Sequence, residues 1–216
     1  MAPAADLLIP HPPSHATAAA RYCRRAHTTA EAREVTLAAA GSVGAAGVAG
    51  VGYLSIQSDN DRQLVFTSMP EAMREVERLA AASVHTQALK SGTDWNWAEV
   101  LEHCAQSIEF SLHGFPAPRS ALFQNTLGSA AFHFFALRGR MSHNLAEPIP
   151  GAPALKGSAA NASAMLARLR TAAQHFENHT GPLYPHFAYG ALSKAQYEQA
   201  HAMHLANHLS AFDVKA

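Results

Sequence analysis

Apolar residues recur at helical spacing near the C-terminal end of the chain, in the segment YEQAHAMHLANHL that begins at Tyr197. This segment contains neither Gly nor Pro, which favours a helix. At about 100° per residue, Tyr197, Leu205 and Phe212 lie on one stripe, whereas Ala202 and Met203 lie on other faces. The pattern predicts a helix that buries this stripe in a protein core.

Four segments upstream of this helix have the same spacing and are separated by helix-breaking sequences. They run over about residues 68–87, 93–113, 118–137 and 159–179. Ser193 is the expected N-terminal cap of the last helix. In the third helix, the expected buried residues are Leu122, Phe123, Leu127, Ala131, Phe134 and Phe135.

Two connections between these helices are rich in Pro and Gly. Residues 141–158 hold three Pro and two Gly, and residues 180–190 form a second loop of Pro, Gly and aromatic residues. Neither connection can be regular structure, and the first could cover an opening of the core. No segment alternates as a strand does. The sequence therefore predicts an all-α domain over residues 62–214, a four-helix bundle with crossover loops.

The first 60 residues differ from the rest of the chain. Residues 35–54 carry no charge and are dominated by Ala, Gly and Val, and the pair Arg24 and Arg25 precedes them. A basic region followed by a mildly apolar one is typical of an export signal, here of the twin-arginine type. We expect an exported, periplasmic protein, or one anchored to the inner membrane if the segment is retained. The alternative is a disordered tail on a cytoplasmic protein.

Composition argues against some classes of partner. The chain has 216 residues, 48% of them hydrophobic, and its formal net charge is zero. No basic excess points to nucleic acid, and no polybasic run points to a membrane surface. The two cysteines, Cys23 and Cys104, are far apart and form no CxxC motif, so a disulfide framework is not expected. Cys104 is interpreted as a small core residue.

Histidine is unusually frequent, with 14 residues, and three of them share one stripe of the last helix. His201, His204 and His208 lie within roughly 60° of one another, on the face that the apolar residues mark as buried. Buried imidazoles need partners, and a metal ion is the simplest common one. His204 and His208 are spaced i, i+4, and His103 on the second helix is the best third ligand by position.

Other polar residues leave several roles open. His201 is either a ligand or a neighbour that orients one, and Tyr197, Glu109 and Gln106 are candidates for hydrogen bonds to the ligands or for acid–base chemistry. Six further histidines lie near helix ends or in loops and are interpreted as solvated or capping groups: His113, His133, His143, His175, His179 and His186.

Four ordered segments of the chain resemble a bacterial family of unknown function within the DinB-like (DinB/YfiT) superfamily of metalloenzymes. They are Leu101–Glu109 (LEHCAQSIE), Gly114–Pro116 (GFP), Ile149–Gly151 (IPG) and His204–Leu209 (HLANHL). The resemblance spans about residues 62–213, and many members of that branch carry an export signal ahead of the domain.

This resemblance implies a four-helix bundle that holds one divalent metal through three histidines, here His103, His204 and His208. Zinc, nickel, iron, manganese or copper would suit such a site. Relatives in the superfamily include metal-dependent thiol transferases and a thiol-dependent isomerase, whereas the branch in question has no established reaction. We expect a metal-dependent hydrolase or thiol transferase with a small-molecule substrate. The alternative is a non-catalytic exported bundle that binds a ligand or is stabilised by a structural metal ion. Homodimers are common for such bundles.

Overall fold

The computed structural model describes residues 62–86 and 89–214, and this part of the chain is mostly helical. Its helices are α1 (Met69–Thr86), α2 (Trp97–His113), α3 (Ala121–Phe123), α4 (Ser129–Arg138), α5 (Ala162–Asn178) and α6 (Lys194–Leu209). A π-helical turn (Gln124–Gly128) joins α3 to α4, and a 3₁₀ turn (Ala159–Asn161) precedes α5. The prediction of a helical domain is confirmed, and the four-helix-bundle arrangement stays a prediction.

Two short strands, β1 (Leu89–Ser91) and β2 (Phe212–Val214), form an antiparallel sheet. Leu89 lies opposite Val214 in the register of this pair. The prediction of a domain without strands was wrong, because strands of three residues are too short to show an alternating pattern. The sheet holds the chain that follows α6 against the chain that follows α1.

The third predicted helix buries only part of the expected stripe, of which Phe135 is buried as predicted. Leu122 is 76% exposed and Leu127 is 67% exposed, and Phe134 is also exposed, whereas Phe132 and Phe135 are buried. The intervening π-helical turn contains i→i+5 hydrogen bonds, so it adds one residue to the helical repeat and rotates the following helix by about 100°. A uniform helical period therefore assigns the wrong stripe to this segment.

Helix α6 packs against α1, α2 and α4. It is buried on nearly all sides, including Ala202 and Met203, which lie off the predicted stripe. Tyr197 and Leu205 belong to the main core, and each fully buried side chain of this size contributes about 1.5–3 kcal/mol through the hydrophobic effect. Cys104 is a free, buried thiol in the same core, as expected.

Side-chain caps fix where α2 and α6 begin. Asn96 Oδ1 accepts hydrogen bonds from the N–H groups of Ala98 and Glu99, and the Glu99 carboxylate accepts one from the Asn96 N–H. Ser193 and Gln196 make the corresponding capping box at α6, which confirms the cap predicted there. Such caps contribute about 1 kcal/mol each, and they determine which residues of each helix face the core.

Within residues 62–86 and 89–214, no helix is both long enough and apolar enough to cross a membrane. The predicted N-terminal segment of residues 1–60, with its apolar stretch at 35–54, lies outside the described residues. Export and membrane anchoring through that segment therefore stay predictions.

Candidate metal centre

The side chains of His103, His204 and His208 converge between α2 and α6. Nε2 of His204 lies 3.1 Å from Nε2 of His103 and 3.1 Å from Nε2 of His208. One ring nitrogen of each histidine lies within 4.8 Å of the other two. Two nitrogens bound to one ion at about 2.1 Å, at angles between square and tetrahedral, are about 3.0–3.4 Å apart. The observed spacing therefore fits a shared ion.

Two helices bring the three rings together. His204 and His208 are one helical turn apart on α6, so their rings project from the same side of it. His103 projects from α2, which packs against α6. The contact between His103 and His204 joins residues 101 positions apart in the chain, so the cluster exists only when both helices are packed.

Burial keeps the three imidazoles neutral. Desolvation lowers the pKa of His103 to about 3. Desolvation and the neighbouring histidines lower the pKa values of His204 and His208 well below the usual 6.5. Each neutral ring has only one in-plane site at Nε2, either an N–H or a lone pair, so His204 cannot make two good hydrogen bonds to its neighbours. A cation among the three lone pairs removes this conflict, and the neutral form of histidine is the one that binds metal.

Trp95 forms an aromatic wall behind the cluster. Its ring stacks on His208 with centroids 6.1 Å apart and planes at 11°, and it is tilted against His103 at 4.9 Å. The Nδ1 atoms of His103 and His208 are buried and have no hydrogen-bond partner among the described residues. Metal-bound histidines usually donate this N–H to an acceptor. Ring packing rather than a hydrogen bond therefore orients these two side chains.

A cavity of about 390 Å³ lies beside the cluster and is lined by His103 and His204. His204 is half-buried, whereas His103 and His208 are buried, so the cluster is accessible from the cavity side. The lining includes one arginine, Arg119, and one carboxylate, Glu147. Its large apolar residues are Phe123, Leu127, Phe135, Met141, Ile149, Phe187 and Tyr189. The cavity can hold a small, largely apolar molecule next to the three imidazoles.

Two loop histidines, His143 and His186, also line this cavity. The His143 ring lies 5.2 Å from the His204 ring and 5.0 Å from the His208 ring, centroid to centroid. Both loop histidines were interpreted as solvated or capping groups, and their place in the cavity wall was not predicted. Loop residues have no periodic pattern, so sequence spacing contains no signal that assigns them to the cavity. The same prediction is confirmed for three exposed histidines, namely His113, His133 and His175.

Backbone hydrogen bonds fix the tautomers of the two loop histidines. Nδ1 of His143 lies 2.9 Å from the carbonyl oxygen of Asn144, which can only accept, so Nδ1 carries the proton and Nε2 is left as an acceptor. Nδ1 of His186 accepts hydrogen bonds from the N–H groups of Ala188 and Tyr189, at 3.2 and 3.1 Å. The neutral His186 ring therefore carries its proton on Nε2.

His201 is a buried neighbour of the cluster and lines the same cavity. Ser111 donates its hydroxyl hydrogen to the carbonyl oxygen of Ile108 at 2.6 Å, so its Oγ accepts from Nε2–H of His201 at 3.1 Å. Nδ1 of His201 is thus left as an acceptor. The His201 ring stacks on Tyr197 at 5.4 Å and meets the edge of Phe176 at 5.0 Å. Burial lowers the pKa of His201 to about 3.

The remaining predicted site residues have partners away from the cluster and are not among the residues that line the cavity. The Tyr197 hydroxyl donates to a backbone carbonyl oxygen at 2.6 Å, and burial raises its pKa. Gln106 is buried and donates to the carbonyl oxygen of Pro153 at 3.2 Å. Glu109 accepts two hydrogen bonds from Arg168, at 2.7 and 2.8 Å. These three side chains hold helices and loops together around the cavity.

Comparison with known proteins matches residues 58–215 to the family described as "Protein of unknown function (DUF1569)". No curated protein and no solved structure matches the chain. The matched region covers most of the chain and contains His103, His204 and His208, together with the loops that carry His143 and His186. The chain therefore belongs to the DUF1569 family.

Proposed function

We propose that this protein is a metal-dependent enzyme that acts on a small, largely apolar molecule, with hydrolysis as the reaction class and thiol transfer as the second candidate. His103, His204 and His208 would hold one divalent metal ion, and the adjoining cavity would hold the substrate. One observation carries the proposal: three neutral imidazole nitrogens converge beside an open, mostly apolar cavity.

We extend the proposal to the fold, as a DinB-like four-helix bundle made of α1, α2, α5 and α6. In support, α2 packs against α5, and both α1 and α2 pack against α6. The proposed ligands come from the second and the last of these helices. This is the order that the resemblance to the DinB-like superfamily implies.

A divalent cation held there would supply Lewis acidity to an oxygen or sulfur atom of the substrate. The chain's own residues would orient the substrate and exclude bulk water. Nε2 of His143 and Nδ1 of His201 are both fixed as acceptors, and they would orient N–H or O–H groups beside His204. The apolar wall would exclude bulk water from the reacting groups, apart from the one molecule that hydrolysis consumes, which strengthens these polar interactions.

The main alternative to a catalytic metal ion is a structural one that only holds the helices together. That role is typical of a closed set of four ligands, for which His201 would be the fourth. His201 lies outside the converging group, and His204 stays half-buried at the cavity wall. Both observations favour three ligands with a position left open to substrate.

We also propose export or membrane anchoring through residues 1–60, on the pattern of their sequence alone. Fusing this segment to a reporter that is active only after export should give active reporter. Activity of a cytoplasmic reporter in its place would contradict export and favour the cytoplasmic alternative.

Turnover with and without metal tests the proposed enzyme. The full chain, stripped by a chelator and reloaded with zinc, nickel, iron or manganese, would be assayed on a short-chain aryl ester. A parallel assay would follow transfer of a low-molecular-weight thiol to an electrophile. We expect ester hydrolysis that requires metal and is lost in His208→Ala but not in His175→Ala, whose side chain is exposed on α5. Metal binding without turnover in either assay would favour the structural rival.

A further inference from the structure

His186 presents a hydrogen-bond donor at the wall of the cavity. Its Nδ1 is occupied by two backbone N–H groups, so the proton of the neutral ring lies on Nε2. Nε2 makes no hydrogen bond among the described residues. It is also not among the polar atoms that are fully buried without a partner. The ring itself lines the cavity. This N–H group has no acceptor among the described residues, and a bound molecule could provide one.

The loop that carries His186 holds this donor in one orientation. The backbone N–H of His186 donates to the Gly190 carbonyl at 2.8 Å, and the Gly190 N–H donates back at 3.1 Å. Gly190 has φ +76°, a conformation that L side chains rarely adopt. A Cβ at Gly128 would lie 1.9 Å from the carbonyl oxygen of Ala188, so the loop sits directly on the π-helical turn. The donor is therefore pre-organised, which lowers the entropic cost of binding a ligand.

Ring packing keeps the donor neutral. The His186 ring stacks on Tyr189 with centroids 4.2 Å apart and planes at 9°, and the edge of Phe115 meets it at 5.0 Å. Burial lowers the pKa of His186 to about 3, so the ring stays uncharged at neutral pH. A neutral, fixed N–H in an apolar wall discriminates between molecules that offer an acceptor and those that do not, because an unpaired buried donor is costly.

The remaining lining indicates the charge of the ligand. Arg119 and Glu147 carry opposite charges, and the histidines of the lining are neutral. The cavity lining therefore has no net charge. Among the histidines with a fixed tautomer, His143 and His201 present acceptors and His186 presents the donor. An uncharged molecule with an apolar body and an acceptor oxygen matches the His186 donor.

We propose that His186 binds the carbonyl oxygen of a small, uncharged, largely apolar ligand through Nε2–H, and that it selects such ligands over those without an acceptor. This proposal rests on the proposed function, because it takes the cavity to be the substrate-binding site. His186 would then be a specificity-determining residue outside the three-histidine cluster. A carbonyl compound such as an ester or ketone is the class of ligand that follows.

A ¹⁹F NMR titration with two probes of similar shape, 4'-fluoroacetophenone and 1-ethyl-4-fluorobenzene, tests this inference. The first has a carbonyl group where the second has a methylene group. The full chain would be used after chelator treatment, so that the result does not depend on metal. The matched variants are His186→Asn and the exposed His133→Asn. In His186→Asn the Oδ1 atom can still accept from the loop N–H groups, as in an Asx turn, while the Nδ2–H group of the shorter side chain does not reach the position of Nε2–H.

We expect wild type and His133→Asn to prefer the ketone by about fivefold to tenfold, the usual net effect of one hydrogen bond, and His186→Asn to lose this preference. Equal binding of both probes by wild type, binding of neither, or retention of the preference in His186→Asn would each overturn the inference. Metal content, measured separately on the reloaded protein, reports on the proposed function alone.

A second measurement needs no variant and guards against misfolding of His186→Asn. Long-range ¹H–¹⁵N spectra of the wild-type imidazoles should show His186 protonated on Nε2. Its Nε2 signal should move on addition of the ketone and not on addition of the hydrocarbon. Protonation on Nδ1, or equal shifts with both probes, would contradict the inference.

Discussion

The Glu102 carboxylate on α2 accepts a 2.8 Å hydrogen bond from the backbone N–H of Gly157, 55 residues later in the chain. Glu102 directly precedes His103, so the connection of residues 141–158 is fixed to the helix that carries a proposed metal ligand. That connection also carries His143. The far end of the connection that carries His143 is therefore anchored by a buried carboxylate that meets backbone N–H groups instead of solvent.

Replacing Gly157 by Ala should weaken this attachment. A Cβ at this position would lie 2.4 Å from the backbone carbon of Ala98 and 2.4 Å from the backbone nitrogen of Glu99, and neither atom can move without shifting α2. We expect Gly157→Ala to lower the free energy of unfolding in urea by about 1–3 kcal/mol. Gly181→Ala is the control, because its Cβ would meet only the outer end of the His179 side chain at 3.2 Å. Equal stability of the two variants would contradict the close packing of Gly157.

Metal binding should depend on the three converging histidines and on no exposed one. We expect about one equivalent of a divalent ion in the wild-type protein, measured by elemental analysis after chelator-free purification. His204→Ala and His208→Ala should weaken metal binding by more than roughly 10–100-fold, which is the typical effect of removing a residue that hydrogen-bonds to a ligand. His175→Ala should leave it unchanged.

The same measurement separates His201 from the ligands. Since Nε2 of His201 is bonded to Ser111 and the ring lies outside the converging group, His201→Ala should retain most of the metal. If His201→Ala removed metal as completely as His204→Ala, the assignment of ligands would be wrong.

Ser111→Ala should destabilise the protein without affecting metal. The substitution removes the acceptor of the buried His201 Nε2–H and leaves that group unpaired. An unsatisfied buried donor costs about 1–3 kcal/mol, which urea unfolding in the presence of chelator would detect. Ser163→Ala, at an exposed position on α5, should change the free energy of unfolding by less than about 0.5 kcal/mol. Loss of metal from Ser111→Ala would show that His201 acts on the ligands after all.

Acid should destabilise the metal-free protein. Burial lowers the folded-state pKa of His186 and of His201 to about 3, against about 6.5 in the unfolded chain. Between these values the unfolded chain binds more protons, so this stability is fully present above pH 6.5 and is lost as the pH falls towards 3.

Each of the two groups contributes a slope of up to about 1.4 kcal/mol per pH unit in that window. Urea unfolding in chelator at pH 7.5, 6 and 5 would measure it. His201→Gln should have a shallower slope than the wild type, and His175→Gln should have the same slope. A free energy of unfolding that does not change between pH 7.5 and 5 would contradict the neutral burial of both groups.

Helical periodicity was sufficient to predict the helices and the proposed ligands. The caps at Ser193 and near Asn96, and the spacing of His204 and His208, are local features that sequence contains directly. His103 could be assigned because it lies at the edge of an apolar stripe on a second helix. These predictions rest on regular structure, in which spacing determines direction.

Sequence could not supply what depends on irregular structure. The π-helical turn at Gln124–Gly128 rotates α4, so Phe134 is exposed where a uniform period buries it. His143 and His186 reach the cavity through loops whose path is set by distant contacts, such as those of Glu102 and Gly128. No period connects such residues to the helices on which they pack.

The central position of α6 has a consequence for synthesis of the chain. Among the described helices, α6 is the last to leave the ribosome, and it fills the space between α1, α2 and α4. Until it does, the apolar residues of α1, α2 and α4 that pack on α6 stay uncovered, and such surfaces favour chaperone binding or aggregation. The proposed metal site would therefore form only once α6 has been synthesised and has packed against these helices.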